Sequence, residues 1–187
     1  LYLLYRCVNA DECQLARIGY CKQNTAGAWS APKILSTENN LVDYAIATTG
    51  NTVNISWIEL NNSRSLDRLL VGTLTANGEF SSRQPLDVGT TPDAGFSRYE
   101  ALYLLADSQQ RLHLVGKGRN EGVLYTTMRL ANGSWDPLTA LYPLPDLRSF
   151  ALQSVMLDQQ DTLHFVLLRS SGEPSFHLQR TATVFSV

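Results

Sequence analysis

Arg98, Tyr99 and Glu100 stand side by side in this chain, with Arg119 and Arg148 further on. A guanidinium is planar and permanently charged, so it can hold a carboxylate through two parallel hydrogen bonds. Away from a ligand, an arginine at a strand edge is a solvated or ion-paired surface group. Trp57 carries a large flat ring that can stack on a sugar or pack inside the protein. Cys7 and Cys13 bracket the polar run VNADE. If they face each other across a hairpin they can form a disulfide, which would mark an oxidising compartment; free thiols are the alternative. A zinc site needs about four ligands. No histidine lies near Cys7, Cys13 and Cys21, so no metal is expected, and no cofactor either.

These residues need a framework, and an internal repeat supplies it. Gly-x-aromatic occurs at Gly27, Gly78 and Gly133, spaced by 51 and then 55 residues. DSQQRLHLV (107–115) matches DQQDTLHFV (158–166) at a shift of 51, and TTGNTVNISW (48–57) holds the same place one unit earlier. Self-similarity at such a period signals a repeat architecture.

Each unit reads as four short strands. The first strands are 44–48, 101–106 and 151–157; the second are 53–58, 112–115 and 163–168. The third are 15–21, 69–74, 123–130 and 176–183. A fourth begins near Trp29, Phe80 or Trp135. Glycine suits the turn before it because it tolerates positive φ. Four-stranded units of about 50 residues are propeller blades. The expected fold is therefore an all-β propeller of antiparallel blades at about 1–35, 43–86, 99–142 and 150–187. YEALYLLADSQQRL alone has helix formers throughout. Its in-register copies are β-branched or turn-rich, which favours strand. The chain reads as starting on a second strand and ending on a third, about three and a half blades. Another chain, or a further part of the same protein, would complete the ring.

The repeat pattern, with its LHxV strands and NGxW turns, resembles the sialidase-like (neuraminidase-like) β-propellers with BNR repeats. The resemblance covers essentially the whole chain. The family's Asp-box, Ser-x-Asp-x-Gly-x-Thr-Trp, is not intact anywhere: LANGSW keeps the Gly and Trp but lacks the Asp. The resemblance implies a ligand face built from the loops joining strand 2 to 3 and strand 4 to the next strand 1. Sialidases grip a substrate carboxylate with three arginines and add a Tyr nucleophile, a Glu and an Asp. Arg98 and Arg148 precede inner strands of neighbouring blades, and Tyr99 and Glu100 follow Arg98. Arg6, Arg64 and Arg119 lie on or beside the other loops. The family's motifs around these residues are missing, so no catalytic residue is carried over. Arg98, Tyr99, Glu100, Arg148, Arg119 and Trp57 are candidates for ligand contact.

His113 and His164 recur in register, which points to a structural role; His177 looks incidental. Asp107 and Asp158 read as turn formers, with calcium binding as the alternative. Sequons occur at Asn54, Asn61 and Asn132. The net charge of -2 offers no bulk attraction for nucleic acid. No apolar run approaches the length of a membrane helix. The expected function is a non-catalytic module that recognises a glycan or a protein, outside the cytoplasm or secreted. The alternatives are a sialidase-type glycoside hydrolase and a structural segment of a larger protein.

Overall fold

The computed structural model describes residues 2–7, 17–35, 41–59, 68–75, 80–81, 84–86, 99–118, 123–130, 132–141, 150–169, 176–180 and 185–186. Every regular element among them is a strand. The first sheet is a meander of β1 (Tyr2–Cys7), β2 (Arg17–Lys22) and β3 (Lys33–Ile34). The second runs β4 (Leu41–Thr49), β5 (Thr52–Glu59), β6 (Arg68–Leu74), β7 (Gln84–Pro85). The third runs β8 (Tyr99–Ala106), β9 (Leu112–Gly118), β10 (Leu124–Met128), β11 (Thr139–Leu141). The fourth runs β12 (Phe150–Leu157), β13 (Leu163–Arg169), β14 (Phe176–Arg180), β15 (Phe185–Ser186). All pairings are antiparallel, as short hairpin links require.

YEALYLLA, the stretch with helix formers, is strand β8. Its β-pairing to β9 and the packing of Leu102 and Leu104 between sheets override the local propensity. The expectation that the chain ends on a third strand is corrected. Phe185 pairs with Arg180, which makes a short fourth strand in the last sheet.

Three apolar cores lie between successive sheets. Ile18, Tyr20 and Leu35 meet Val53, Ile55, Trp57, Leu70 and Leu74 between the first and second. Ile58, Leu69 and Leu86 meet Leu102, Leu104, Leu112, Leu114 and Tyr125 between the second and third. Val115, Leu124 and Leu141 meet Phe150, Leu152, Val155, Leu163, Phe165 and Leu167 between the third and fourth. Each fully buried side chain of this size stabilises the fold by about 1.5–3 kcal/mol relative to exposure. Because β5 is covered on both faces, it is buried almost without interruption from Val53 to Glu59. β13 alternates instead: Leu163, Phe165 and Leu167 are buried, while His164, Val166 and Leu168 are not.

The Gly-x-aromatic turns link third and fourth strands by a common hydrogen-bond pattern. Gly27 and Gly133 have φ of 86° and 87°. Gly27 N donates to Asn24 O and Gly133 N to Leu130 O. Each aromatic bridges back to the end of the third strand, as Gln23–Trp29, Leu74–Phe80 and Arg129–Trp135. The turn therefore closes on the aromatic before the fourth strand begins.

Candidate functional site

The first strands β4, β8 and β12 run in the same direction, side by side. Near their beginnings Leu102 N donates to Asp43 Oδ2 at 2.8 Å. Past their ends Gly50 N donates to Gln110 Oε1 at 2.6 Å. One end of the assembly thus collects the starts of all three strands. Bulges at this end break the register of β4 between Leu41 and Asp43 and of β8 between Tyr99 and Ala101. In β12 the register shifts between Leu152 and Ser154. Bulges re-aim side chains and are common beside binding sites.

Asp43 and Tyr103 are the polar groups whose contacts tie these strands. Asp43 Oδ1 accepts from Tyr44 N at 2.9 Å, and Tyr103 OH donates to Leu152 O at 3.1 Å. Burial, and then the charge of Asp43, raise the Tyr103 phenol above its ordinary pKa. It remains a neutral hydrogen-bond donor rather than a ready nucleophile. Sequence reasoning missed Asp43. The available signal was a lone carboxylate in the apolar run LVDYAIA.

Among the sequence candidates, Tyr99 and Glu100 open β8 at this end, with Glu100 at the bulge. Their side-chain positions, and all of Arg98, Arg119, Arg148 and Cys13, lie outside the described residues. So does much of the links that were expected to form the ligand face. Cys7 ends β1, and Cys21 is a free, half-buried thiol. Trp57 is fully buried in the core between the first and second sheets. Its Nε1 donates to Glu59 Oε1 at 2.8 Å, and Phe80 lies 6.1 Å from its ring. It presents no face to solvent for a sugar. Among the described residues no cluster of His, Cys, Asp and Glu is arranged to hold a metal.

The opposite end carries the turns between first and second strands. Asp107 Oδ1 accepts from Gln109 N and Arg111 N, at 3.0 and 2.8 Å. Its Oδ2 meets Arg111 Nε at 2.6 Å and His113 Nε2 at 3.0 Å. Burial pushes this carboxyl up, but the hydrogen bonds from His113 and Arg111 and the arginine charge outweigh it and hold it low. Asp158 repeats the arrangement with Gln160 N, Thr162 N and His164 Nε2. These contacts make both aspartates turn locks rather than calcium ligands. His177, unremarkable in sequence, hydrogen-bonds His164 at 2.9 Å, stacked at 5.1 Å between centroids. The two are diagonal neighbours across β13 and β14, a relation only the strand register creates. In the second sheet the hairpin is shorter, and Asn54 Nδ2 to Thr49 Oγ1, at 2.8 Å, stands where His pairs with Asp.

No family model and no curated protein matches this chain. Solved structures do. The catalytic domain of a GH62 α-L-arabinofuranosidase from Coprinopsis cinerea is similar at TM-score 0.53 and 14% identity, over 77% of this chain and 47% of that one. An exo-β-1,3-galactanase from Clostridium thermocellum is similar at TM-score 0.63 and 12% identity, over 100% of this chain and 44% of that one. A GH32 β-fructofuranosidase from Bombyx mori is similar at TM-score 0.57 and 9% identity, over 99% of this chain and 46% of that one. At these identities the likeness is one of fold: all-β and propeller-like, as in these glycoside hydrolases. The chain spans under half the length of each.

Proposed function

We propose that this chain is a glycan-recognising unit with a propeller-like fold, taking its sugar at the end where β4, β8 and β12 begin. The observation that carries the reading is the match, along the entire chain, to an exo-β-1,3-galactanase. Fold alone does not specify function. The second support is local: β4 and β8 are both bulged at this end, beside Asp43 and at Glu100. Arg98, Arg119 and Arg148 belong by sequence to the links at the same end. In this reading they hold polar or acidic groups of the ligand, in a sialidase-like unit whose Asp-boxes have degenerated and whose role is binding.

A catalytic reading stands beside it, because the three similar structures are glycoside hydrolases. Two carboxylates across a sugar are what glycoside hydrolysis requires, and Asp43 and Glu100 supply that residue type on adjacent strands. Calorimetric titration with arabino-, galacto- and fructo-oligosaccharides and a sialoside, alongside chromogenic reporters of the same sugars, separates the readings. Saturable binding without release supports recognition. Release that is lost in Asp43→Asn and Glu100→Gln supports hydrolysis.

We also infer that the outer face of the fourth sheet is covered by a further sheet, from the same protein or another chain. Met156 and Leu168 are 49% and 37% exposed there. The matching faces of the second and third sheets are closed by the sheet that follows. Light scattering on the native particle tests this: a mass near 20.7 kDa contradicts it.

A further inference from the structure

At the end opposite the strand beginnings, a cleft of about 240 Å³ opens between the second and third sheets. Val71, Leu104, Leu112 and Trp135 line it with apolar side chains. Arg129, Thr73, Ser81 and Asn54 contribute polar groups. The turn after β10 brings Arg129 and Trp135 to it as a bridged pair. In the neighbouring sheet the equivalent aromatic, Phe80, packs over Gly72 and beside Trp57 in the core shared with the first sheet, as Trp135 packs in the core shared with the second.

Two polar groups here lack protein partners. Asn54 is 2% exposed and lines the cleft, yet its Oδ1 accepts no hydrogen bond. Ser56, two residues along the same face of β5, is fully buried with its hydroxyl also unpartnered. A buried acceptor left unmade costs about 1–3 kcal/mol, and Asn54 Oδ1 is itself closed off from the open space of the cleft. Among the described residues the Arg129 side chain makes one hydrogen bond, a long one of 3.4 Å to Gly133 O. Its guanidinium is half-buried and positioned to take a carboxylate.

We propose that this cleft binds a single acidic sugar residue of the hexuronate class. Its ring lies on the Trp135 indole and its carboxylate on Arg129. The volume suits one sugar ring, and a cleft that mixes apolar surface with a few placed polar groups is suited to one. The site is separate from the one proposed above and does not depend on it.

The test is an NMR titration of the full chain with D-glucuronate and, separately, D-glucose, following the indole resonance of Trp135. Glucuronate is expected to move that resonance saturably, and at least about tenfold more tightly than glucose, since loss of a charge-assisted pair is worth that factor. Arg129→Gln sits on a half-buried turn and should fold. It is expected to erase the preference, while Arg129→Lys keeps part of it. Arg98→Ala and Arg148→Ala are expected to leave the titration unchanged. Equal affinity for the two sugars, an unaltered titration in Arg129→Gln, or no movement of Trp135 would each overturn the proposal. Movement confined to amides at the starts of β4, β8 and β12 would overturn it too, while supporting the site proposed there.

Discussion

Asp161, with φ of 59°, accepts from both the backbone N and the hydroxyl of Ser108, at 2.8 and 2.6 Å. These two residues sit in turns of adjacent sheets. One repeat earlier Gln110, with φ of 63°, accepts from Gly50 N. In each pair a left-handed turn residue reaches back to the preceding turn. The sheets are thereby latched at one end as well as packed through their cores.

Replacing Asp161 by Ala removes both bonds and leaves a Cβ-bearing residue in the left-handed region. Each lost bond is worth about 0.5–1.5 kcal/mol net, and the conformation costs about 1–2 kcal/mol for a residue without a short polar side chain. Urea unfolding is expected to show a clear loss of stability. Asp161→Asn, which keeps an acceptor and tolerates the conformation, should lose much less. Equal losses in the two variants would contradict the latch.

The turn carboxylates set the acid response. The hydrogen bond from His164, then that from Thr162 N, hold Asp158 below its ordinary value. Asp107 is also held low, as described above. A lowered folded-state pKa means stability that is present above the unfolded value, about 3.9, and lost as pH falls through the folded value. Urea midpoints should therefore drop as pH is lowered from about 4, and drop less in Asp107→Asn and Asp158→Asn. Parallel acid profiles in wild type and both variants would contradict this.

Gly72 is held small by an aromatic. A Cβ there would meet Phe80 Cζ at 2.5 Å and Cε2 at 2.7 Å. Gly72→Ala must push Phe80 off its place beside Trp57, at about 1–3 kcal/mol, as for other overpacked cores. Pairing it with Phe80→Leu is expected to recover part of the loss. Full additivity of the two losses would show that the ring does not sit over the glycine.

Much of the framework was legible in the sequence because repeats average out local ambiguity. YEALYLLA favours helix by itself, and its copies decide for strand. Gly27 and Gly133 announced their positive φ because nothing else fits that turn cheaply. The site was harder to read. Trp57 read either as a ring that stacks on a sugar or, the favoured reading, as packing between blades; sequence does not say which face of β5 is covered, and here both are, as packing requires. Asp43 was invisible because its role is to receive Leu102 N from a strand some sixty residues away. His177 gained its partner only through register. The cleft at Arg129 depends on how the second and third sheets stack, which a turn motif does not state.

Glu59 is a related case. It is 2% exposed and accepts the Trp57 indole proton. Glu59→Ala leaves that buried donor unpaired and should cost about 1–3 kcal/mol. Glu59→Gln keeps an acceptor and should cost less. If the two are equally destabilised by thermal melting, the indole bond is not what holds Glu59 there.

The most direct test of the proposed function is an amide chemical-shift map of the full chain titrated with a β-1,3-galactan oligosaccharide. Recognition at the strand beginnings is expected to move amides of 41–44, 99–102 and 150–152 saturably, and Arg98→Ala with Arg148→Ala should abolish the response. Saturable shifts elsewhere on the molecule, or none with any of the oligosaccharides named above, would contradict it.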